Sequence, residues 1–196
     1  MEDISFQVGF GYDSHRLVKG RPLILGGVEI PNIVGLEGHS DADVLTHAII
    51  DAVIGALGMG DIGKHFPDTD PAYKDATSIL LLKKAMSWGK RKGYRLNNLD
   101  ATIVAERPKL ETYITAMRKK IAETLEVSPE KINIKATTTE GMGFCGRREG
   151  IAAYAILSII SPDVNNINPI NPAARDKGQR HKVKSGPGNS SNPITR

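Results

Sequence analysis

The chain has 196 residues, 40% hydrophobic and 24% charged, with 26 Lys and Arg against 22 Asp and Glu for a formal charge of +4. That composition can bury a core and excludes a wholly disordered chain, and the length is that of one domain with an appendage. A single cysteine, Cys145, excludes an intrachain disulfide and a multi-cysteine zinc site, and fits a reducing compartment.

Residues 6–12 are β-prone, and Leu23–Leu25 and Val28–Ile30 flank Gly26-Gly27 as a hairpin. Over residues 41–57 the period changes: Val44, Leu45, Ala48, Ile49, Ala52, Val53 and Ala56 form a helical apolar stripe. Ser40 is the expected N-cap, with Asp43 three residues on, and Gly55, Gly58 and Gly60 end the helix. Residues 61–74 form a polar, proline-containing loop. A second helix is expected over about residues 77–92, stopped by Gly93, and a strand alternates over 99–105. A third helix spans about Glu111–Leu125 on Ile114, Met117, Ile121 and Leu125, and Ile132, Ile134 and Ala136 alternate as a strand. The continuous apolar run 151–160 reads as a buried strand. Strands and helices interleave, so the domain is α/β or α+β.

After Ile160 come six Lys and Arg but two Asp, which is the whole charge excess; residues 1–160 hold twenty bases and twenty acids. The same segment has five of the 11 prolines, six asparagines and no Phe, Trp or Tyr. It cannot offset its ordering entropy by burial. Residues 1–160 are therefore read as the folded domain and 161–196 as a disordered basic tail. Without aromatics between its cations the tail makes a poor nucleic-acid site, and nucleic acid is not the expected partner. No apolar run reaches the roughly 18–20 residues of a membrane span, and Met1-Glu2-Asp3 does not open a secretory signal.

Two glycine patterns lead nowhere. Gly58 to Lys64 matches a P-loop until His65 stands where a Ser or Thr would hold magnesium, and it follows a helix rather than a strand. Gly141-Met-Gly143-Phe-Cys-Gly146 matches the dinucleotide pattern, but no room remains for a βαβ unit after it.

The histidines say more. Asp13 and His15, at the close of the first strand, project to one side as residues i and i+2. His47 lies on the first helix, with Asp43 and Asp51 one turn away on either side. An Asp and two His suit zinc and leave a fourth position open, while Asp43 or Asp51 would orient the imidazole. A turn-capping Asp13 and a satisfied, half-buried His47 account for the same spacing. His39-Ser40-Asp41 at the helix N-terminus suits an anion or ordinary capping. Ala136-Thr137-Thr138-Thr139-Glu140 ends a strand in three hydroxyls and a carboxylate, suited to phosphate oxygens and a magnesium ion, or to a β-prone Thr run alone. Arg147 and Arg148 add cations in a glycine-rich turn that suit phosphate but are also common on surfaces. Cys145 has no partner that singles it out as a nucleophile and reads as structural.

Four stretches together resemble one family: Gly11-Tyr-Asp-Ser-His-Arg16, Gly38-His-Ser-Asp-Ala-Asp-Val-Leu-Thr-His47, Gly60-Asp-Ile-Gly-Lys-His-Phe-Pro-Asp-Thr-Asp-Pro71 and Ala136-Thr-Thr-Thr-Glu-Gly-Met-Gly-Phe-Cys-Gly-Arg147. They are similar, in order and spacing over about residues 8–160, to the 2-C-methyl-D-erythritol 2,4-cyclodiphosphate synthase family. The resemblance implies an α+β domain, a mixed β-sheet with helices packed on one face, assembling as a homotrimer with active sites between subunits. It implies conversion of 4-diphosphocytidyl-2-C-methyl-D-erythritol 2-phosphate to the cyclic diphosphate with release of CMP, in non-mevalonate isoprenoid biosynthesis. The expected location is the bacterial cytoplasm, or a plastid had a transit peptide been removed.

By position, the resemblance makes Asp13, His15 and His47 zinc ligands and Glu140 the carboxylate that binds magnesium or manganese. His39 and Thr138 match transition-state stabilisers, with Ser40 beside them in the substrate site. Asp61 and Gly63 match sugar contacts, and Phe66, Pro67, Asp68, Thr69 and Asp70 the flexible loop over the erythritol. Ala105, Pro108 and Lys109, within residues 105–111, match the cytidine diphosphate pocket together with Ala136, Thr137 and Thr139. Phe144 and Arg147 match positions near the trimer axis, where the family can hold an isoprenoid diphosphate. Cys145 and Arg148 depart from the family's pattern, and Arg148 is expected to alter the charge of the axial cavity. A zinc-dependent phosphodiesterase and a non-catalytic cytidine-nucleotide or isoprenoid-diphosphate binding module are the alternatives.

Overall fold

In the computed structural model, which describes residues 5–67, 69, 70, 73 and 76–161, the first element is a fifteen-residue strand, β1 (Ser5–Lys19). It pairs antiparallel with β7 (Gly150–Ser161), in register from Ser5 opposite Ser161 to Arg16 opposite Gly150. On its far side β7 pairs antiparallel with β5 (Arg95–Val104), which pairs parallel with β6 (Ile132–Thr137). A short strand, β4 (Val34–Leu36), covers the other edge of β1, giving the order β4-β1-β7-β5-β6. The sheet is therefore mixed, in an α+β domain. Residues 162–196, all but the first of the expected tail, lie outside the described residues, as does Asp68.

The hairpin of β2 (Leu23–Leu25) and β3 (Val28–Ile30) forms as expected. Both of its turn residues, Gly26 and Gly27, have left-handed φ of 59° and 70°, which a two-residue type I′ connection demands. The helices are α1 (Val44–Ala56), a single turn α2 (Ile62–His65), α3 (Ser78–Arg91), α4 (Glu111–Leu125) and a second single turn α5 (Gly143–Gly146).

Alternate residues of β1 face α1, and the helix lies directly on the strand's backbone. A Cβ added at Gly9 would stand 1.8 Å from the Ala52 carbonyl oxygen, and one at Gly11 would stand 2.0 Å from that of Ala48. Small residues on both sides are thus what lets the two elements meet. The expected stripe of α1 is buried, but so are Ile50 and Ile54 outside it. α3 packs against α1, which is why the helix is apolar almost all round. Each large side chain sealed this way contributes about 1.5–3 kcal/mol.

Several expectations need correction. β1 does not close at His15 but runs on to Lys19, because Leu17, Val18 and Lys19 find β4 as a partner. The N-cap of α1 is Asp43, not Ser40. Its carboxylate is fully buried and accepts from Thr46 N (3.0 Å), Thr46 Oγ1 (2.7 Å), Gly26 N (2.8 Å) and Gly27 N (2.6 Å), joining the hairpin turn to the helix start. Burial pushes this carboxyl up, against the pull of those four donors. The loop after α1 contains the turn α2, capped by the Asp61 side chain accepting from Lys64 N (3.0 Å). β7 is a strand but is not buried on both faces, since Tyr154 and Ile156 are 43% and 47% exposed. With Phe6, Val8, Phe10 and Tyr12 of β1 they form an apolar face on the side of the sheet away from α1.

Replacing Gly11 by Ala should force α1 off the strand. Overpacking typically costs about 1–3 kcal/mol, and this contact is with backbone that cannot rotate away. Urea denaturation should show an unfolding free energy lowered by at least that amount, with the midpoint falling accordingly; an unchanged midpoint would refute the close-packing account.

Candidate functional site

The row of β1 residues that faces α1 continues from Gly9 and Gly11 to Asp13 and His15. Beyond the glycines the gap is filled by polar groups, and His47 on the first turn of α1 meets them. Asp13 Oδ2 lies 2.9 Å from His15 Nε2 and 3.0 Å from His47 Nδ1, and the two ring nitrogens are 3.1 Å apart. Among the described residues no other group of three or more His, Cys, Asp or Glu converges in this way. Burial pushes the Asp13 carboxyl up, but the hydrogen bonds and charges of His15 and His47 outweigh it and hold it well below the usual range. Burial likewise lowers His15, yet Asp13 outweighs it and the net movement is upward. His15 Nδ1 is 2.7 Å from the Glu37 carbonyl oxygen, which can only accept, so the proton sits there and Nε2 keeps its lone pair. One carboxylate and two imidazoles converging on a point fit a divalent cation such as zinc, with a fourth position left for substrate.

Neither Asp43 nor Asp51 orients His47, contrary to expectation. Asp43 caps α1, and Asp51 accepts from Ile62 N (3.0 Å), tying α2 to α1. Their backbone donors have no other partner and take the carboxylates. His47 Nε2 instead lies 2.8 Å from Ser78 Oγ and 3.3 Å from Ser40 Oγ. Sequence reasoning missed Ser78, which is 31 residues away on another helix.

The triad lines a cavity of about 380 Å³ together with His39, Ser40, Gly63, Phe66 and Pro67, and with Tyr73 and Leu81, which the sequence did not single out. Phe66 is buried, stacked on Trp88 (centroids 5.6 Å apart) and edge-on to Tyr73 (5.4 Å). Thr69 and Asp70 follow in the loop, where Asp70 N donates to the Pro67 carbonyl (3.1 Å).

A second cavity, about 670 Å³, opens at the ends of β5 and β6 beside α4. Ala105, Glu106, Pro108, Lys109, Ala136, Thr137, Thr138 and Glu140 meet there, together with Ile114 and Arg148, which lie outside the segments singled out for this pocket. Thr138 Oγ1 donates to Glu140 Oε1 (2.7 Å). Thr139 is turned to other duties: its amide donates to Glu106 Oε1 (2.9 Å) and its hydroxyl to the Met142 carbonyl (2.5 Å). Backbone donors from Gly141 and Thr139 hold the Glu106 carboxyl below its ordinary value.

Arg148 lines this second cavity, apart from Phe144, and its φ of 59° is the left-handed conformation that favours glycine. Phe144 borders a third hollow of about 210 Å³ with Ser14, His15, Arg16, Glu149 and Gly150. Arg147 forks onto Glu149, Nε to Oε1 at 2.8 Å. Cys145 is buried, and burial pushes its thiol up, as suits a structural residue. Within one chain, then, the triad and the Thr138–Glu140 pair line separate cavities.

The YgbB family model matches residues 6–160. A 2-C-methyl-D-erythritol 2,4-cyclodiphosphate synthase from Geobacter sulfurreducens is 62% identical over 151 residues, which cover 77% of this chain and 96% of that protein. Among solved structures, a 2C-methyl-D-erythritol-2,4-cyclodiphosphate synthase in its CDP-bound form is similar with a TM-score of 0.72 at 35% identity, over 78% of this chain and 99% of that one. The bifunctional IspDF from Campylobacter jejuni gives a TM-score of 0.78 at 43% identity, over 81% of this chain but 43% of that longer one.

Protons and a bound metal ion would compete for the triad. The Asp13–His15 attraction stabilises the metal-free fold while His15 is protonated, and that contribution fades as pH rises through its raised value. Zinc needs the neutral ring, so its affinity should strengthen over the same window. Titration calorimetry from about pH 6 to about pH 8 should show tighter zinc binding and fewer protons released at the higher pH; an affinity flat with pH would count against the triad as ligands.

Proposed function

The chain belongs to the YgbB family, and we infer that it is a lyase of non-mevalonate isoprenoid biosynthesis, cyclising 4-diphosphocytidyl-2-C-methyl-D-erythritol 2-phosphate to 2-C-methyl-D-erythritol 2,4-cyclodiphosphate with release of CMP. The observation that carries this reading is the convergence of Asp13, His15 and His47 in a cavity walled by His39 and Ser40.

The 2-phosphate oxygen attacks the phosphorus nearer the erythritol, and the bond from that phosphorus to the CMP oxygen breaks. The attacking oxygen is already ionised near neutral pH, so no strong general base is required. The work of the protein is to bring two anionic groups together and hold them in line. Well-oriented intramolecular reactions gain effective molarities of about 10⁵ M or more. Zinc on Asp13, His15 and His47, and magnesium or manganese on Glu140 with substrate phosphate oxygens, would supply the positive charge that offsets their repulsion.

Each remaining residue binds or orients. The Thr138 hydroxyl, now on Glu140, is placed to turn to a phosphate oxygen held at that carboxylate. His39 stabilises charge on the opposite side, with Ser40 beside it at the metal cavity. Asp61 and Gly63, fixed by the turn α2, serve the sugar, and Phe66 and Pro67 lead the loop, with Asp68, Thr69 and Asp70, that covers the erythritol. The second cavity takes the cytidine diphosphate between Ala105, Pro108 and Lys109 on one wall and Ala136 and Thr137 on the other, with Thr139 bracing the turn.

The two halves of this site must meet, and assembly as a homotrimer supplies the meeting: the triad of one subunit faces Glu140 of its neighbour. Two observations support this. The halves line separate cavities within one chain, and β1 and β7 carry an apolar face with Phe6 and Phe10 59% and 61% exposed, which monomers rarely leave open. Phe144 and Arg147 then approach the trimer axis. The catalytic domain is residues 1–160, and the bacterial relatives support a bacterial cytoplasmic location. No helix among the described residues is long and apolar enough to cross a membrane.

Purified protein incubated with the cytidine diphosphate substrate should yield CMP and the cyclic diphosphate without uptake of solvent oxygen; uptake would favour a phosphodiesterase. His47→Ala should abolish cyclisation while CDP binding persists, and parallel loss of both would mean the site is misassigned. Glu140→Gln should lower turnover and raise the magnesium requirement. Chains carrying His47→Ala and Glu140→Ala, each inactive alone, should regain part of the activity when co-expressed, because a mixed trimer builds some sites from two intact halves. No recovery would mean that one chain holds the whole site.

A further inference from the structure

Behind His47 lies a pair of side chains that the reaction itself does not call on. The Ser78 hydroxyl is hydrogen-bonded to Asp41 Oδ1, and the same oxygen is 2.8 Å from His47 Nε2. Asp41 also accepts two backbone amides, Ser78 N on Oδ2 (3.0 Å) and Asp43 N on Oδ1 (3.3 Å). Each of these three hydrogen bonds comes to the carboxylate from a donor. We propose that Asp41 and Ser78 are positioning residues for the metal centre, fixing the tautomer of His47 so that its Nδ1 lone pair points at the cation.

A carboxylate only accepts, so the hydroxyl proton of Ser78 is spent on Asp41. Toward His47 the Ser78 oxygen can then only accept, and Nε2 must carry the hydrogen. A neutral imidazole has a single N–H, which leaves Nδ1 free of hydrogen. That is the atom 3.0 Å from Asp13 Oδ2 and 3.1 Å from His15 Nε2. His15 is set from behind in the same manner by the Glu37 carbonyl. The two rings are thus locked by different means, one by main chain and the other by side chains that can be replaced. Ser40 Oγ, at 3.3 Å from the same nitrogen, accepts from Ala42 N and is the weaker partner.

Geometry also separates this role from a structural one. Thr77, the N-cap of α3, makes no side-chain cap bond, and Asp41 takes the orphan amide of Ser78 in its place. Asp41 therefore both tethers α3 through the Ser78 amide and polarises the Ser78 hydroxyl, and that hydroxyl is what links Asp41 to the His47 ring. Ser78→Ala deletes the hydroxyl and keeps the amide on Asp41. Groups that orient metal ligands from behind typically cost about 10- to 100-fold in metal affinity when lost.

The inference rests on reading the triad as a metal site, and the test keeps the two apart. The full-length chain is stripped of metal, then titrated with zinc against a chelating indicator and with cobalt followed by visible absorption. Ser78→Ala should bind zinc about 10- to 100-fold more weakly and shift the cobalt spectrum, with thermal melting and CDP binding close to those of the unmodified chain. Asp41→Asn should weaken zinc in the same direction, and combining it with Ser78→Ala should add little, since both break one chain of hydrogen bonds. Zinc affinity and cobalt spectrum unchanged in Ser78→Ala would overturn the positioning role while leaving the metal site intact. Should Ser78→Ala melt early, full zinc affinity in Asp41→Asn would overturn it equally. Failure of the unmodified chain to bind either ion would overturn both readings.

Discussion

The contact between α1 and the backbone of β1 sets the rest of the molecule. Gly9 and Gly11 leave no side chain between strand and helix, so the Ala48 and Ala52 carbonyls sit where Cβ atoms would otherwise be. Two residues further along the same row stand Asp13 and His15, and at the matching level of the helix stands His47. Ligand atoms about 3 Å apart on two different elements need those elements held to well within an ångström. The glycine contact supplies that tolerance from rigid backbone rather than from a loop. A bulkier residue at Gly11 would therefore disturb the Asp13–His15–His47 triad without touching it.

A second regularity runs through the acidic residues near the site. Asp43, Asp51, Asp61 and Asp41 each accept a backbone amide at the start of a helix, and Glu106 does the same for the turn that carries Glu140. These carboxylates act as brackets between elements: Asp43 joins the hairpin to α1, Asp51 joins α1 to α2, and Asp41 joins α1 to α3. In a domain whose chemistry concerns phosphates, most nearby acids are thereby neutralised by amide dipoles. Asp13 instead meets the two imidazoles of His15 and His47, and Glu140 accepts from the Thr138 hydroxyl.

This explains which parts of the site were legible in the sequence. Asp13, His15 and His47 could be read because strand and helix periodicities fix which way each points. α4 appears with the bounds its apolar spacing implied, and the glycine pair of the hairpin takes the conformation its composition demanded. The orienting partner of His47 was misread because Asp43 and Asp51, one helical turn away, are nearer in sequence. Their carboxylates are claimed by orphan amides, a competition invisible without the fold. Ser78 could not be read at all, since nothing local links the start of α3 to a ring on α1. The exposure of Tyr154 and Ile156 was hidden for a different reason: a continuous apolar run reads the same whether its own chain covers one face of the strand or both. Arg148 sits in a left-handed turn, so its side-chain direction depends on one backbone angle that composition does not reveal.

Trp88 is the single tryptophan of the chain, and it lies on α3 with its ring stacked on Phe66 and 4.9 Å from the His65 ring. Phe66 is the residue from which the loop beside the metal cavity departs. The chain thus carries its one indole where that loop departs, with an imidazole ring against it. A change in the packing of Phe66 is readable as a change in tryptophan emission, with no label attached and no background from a second indole.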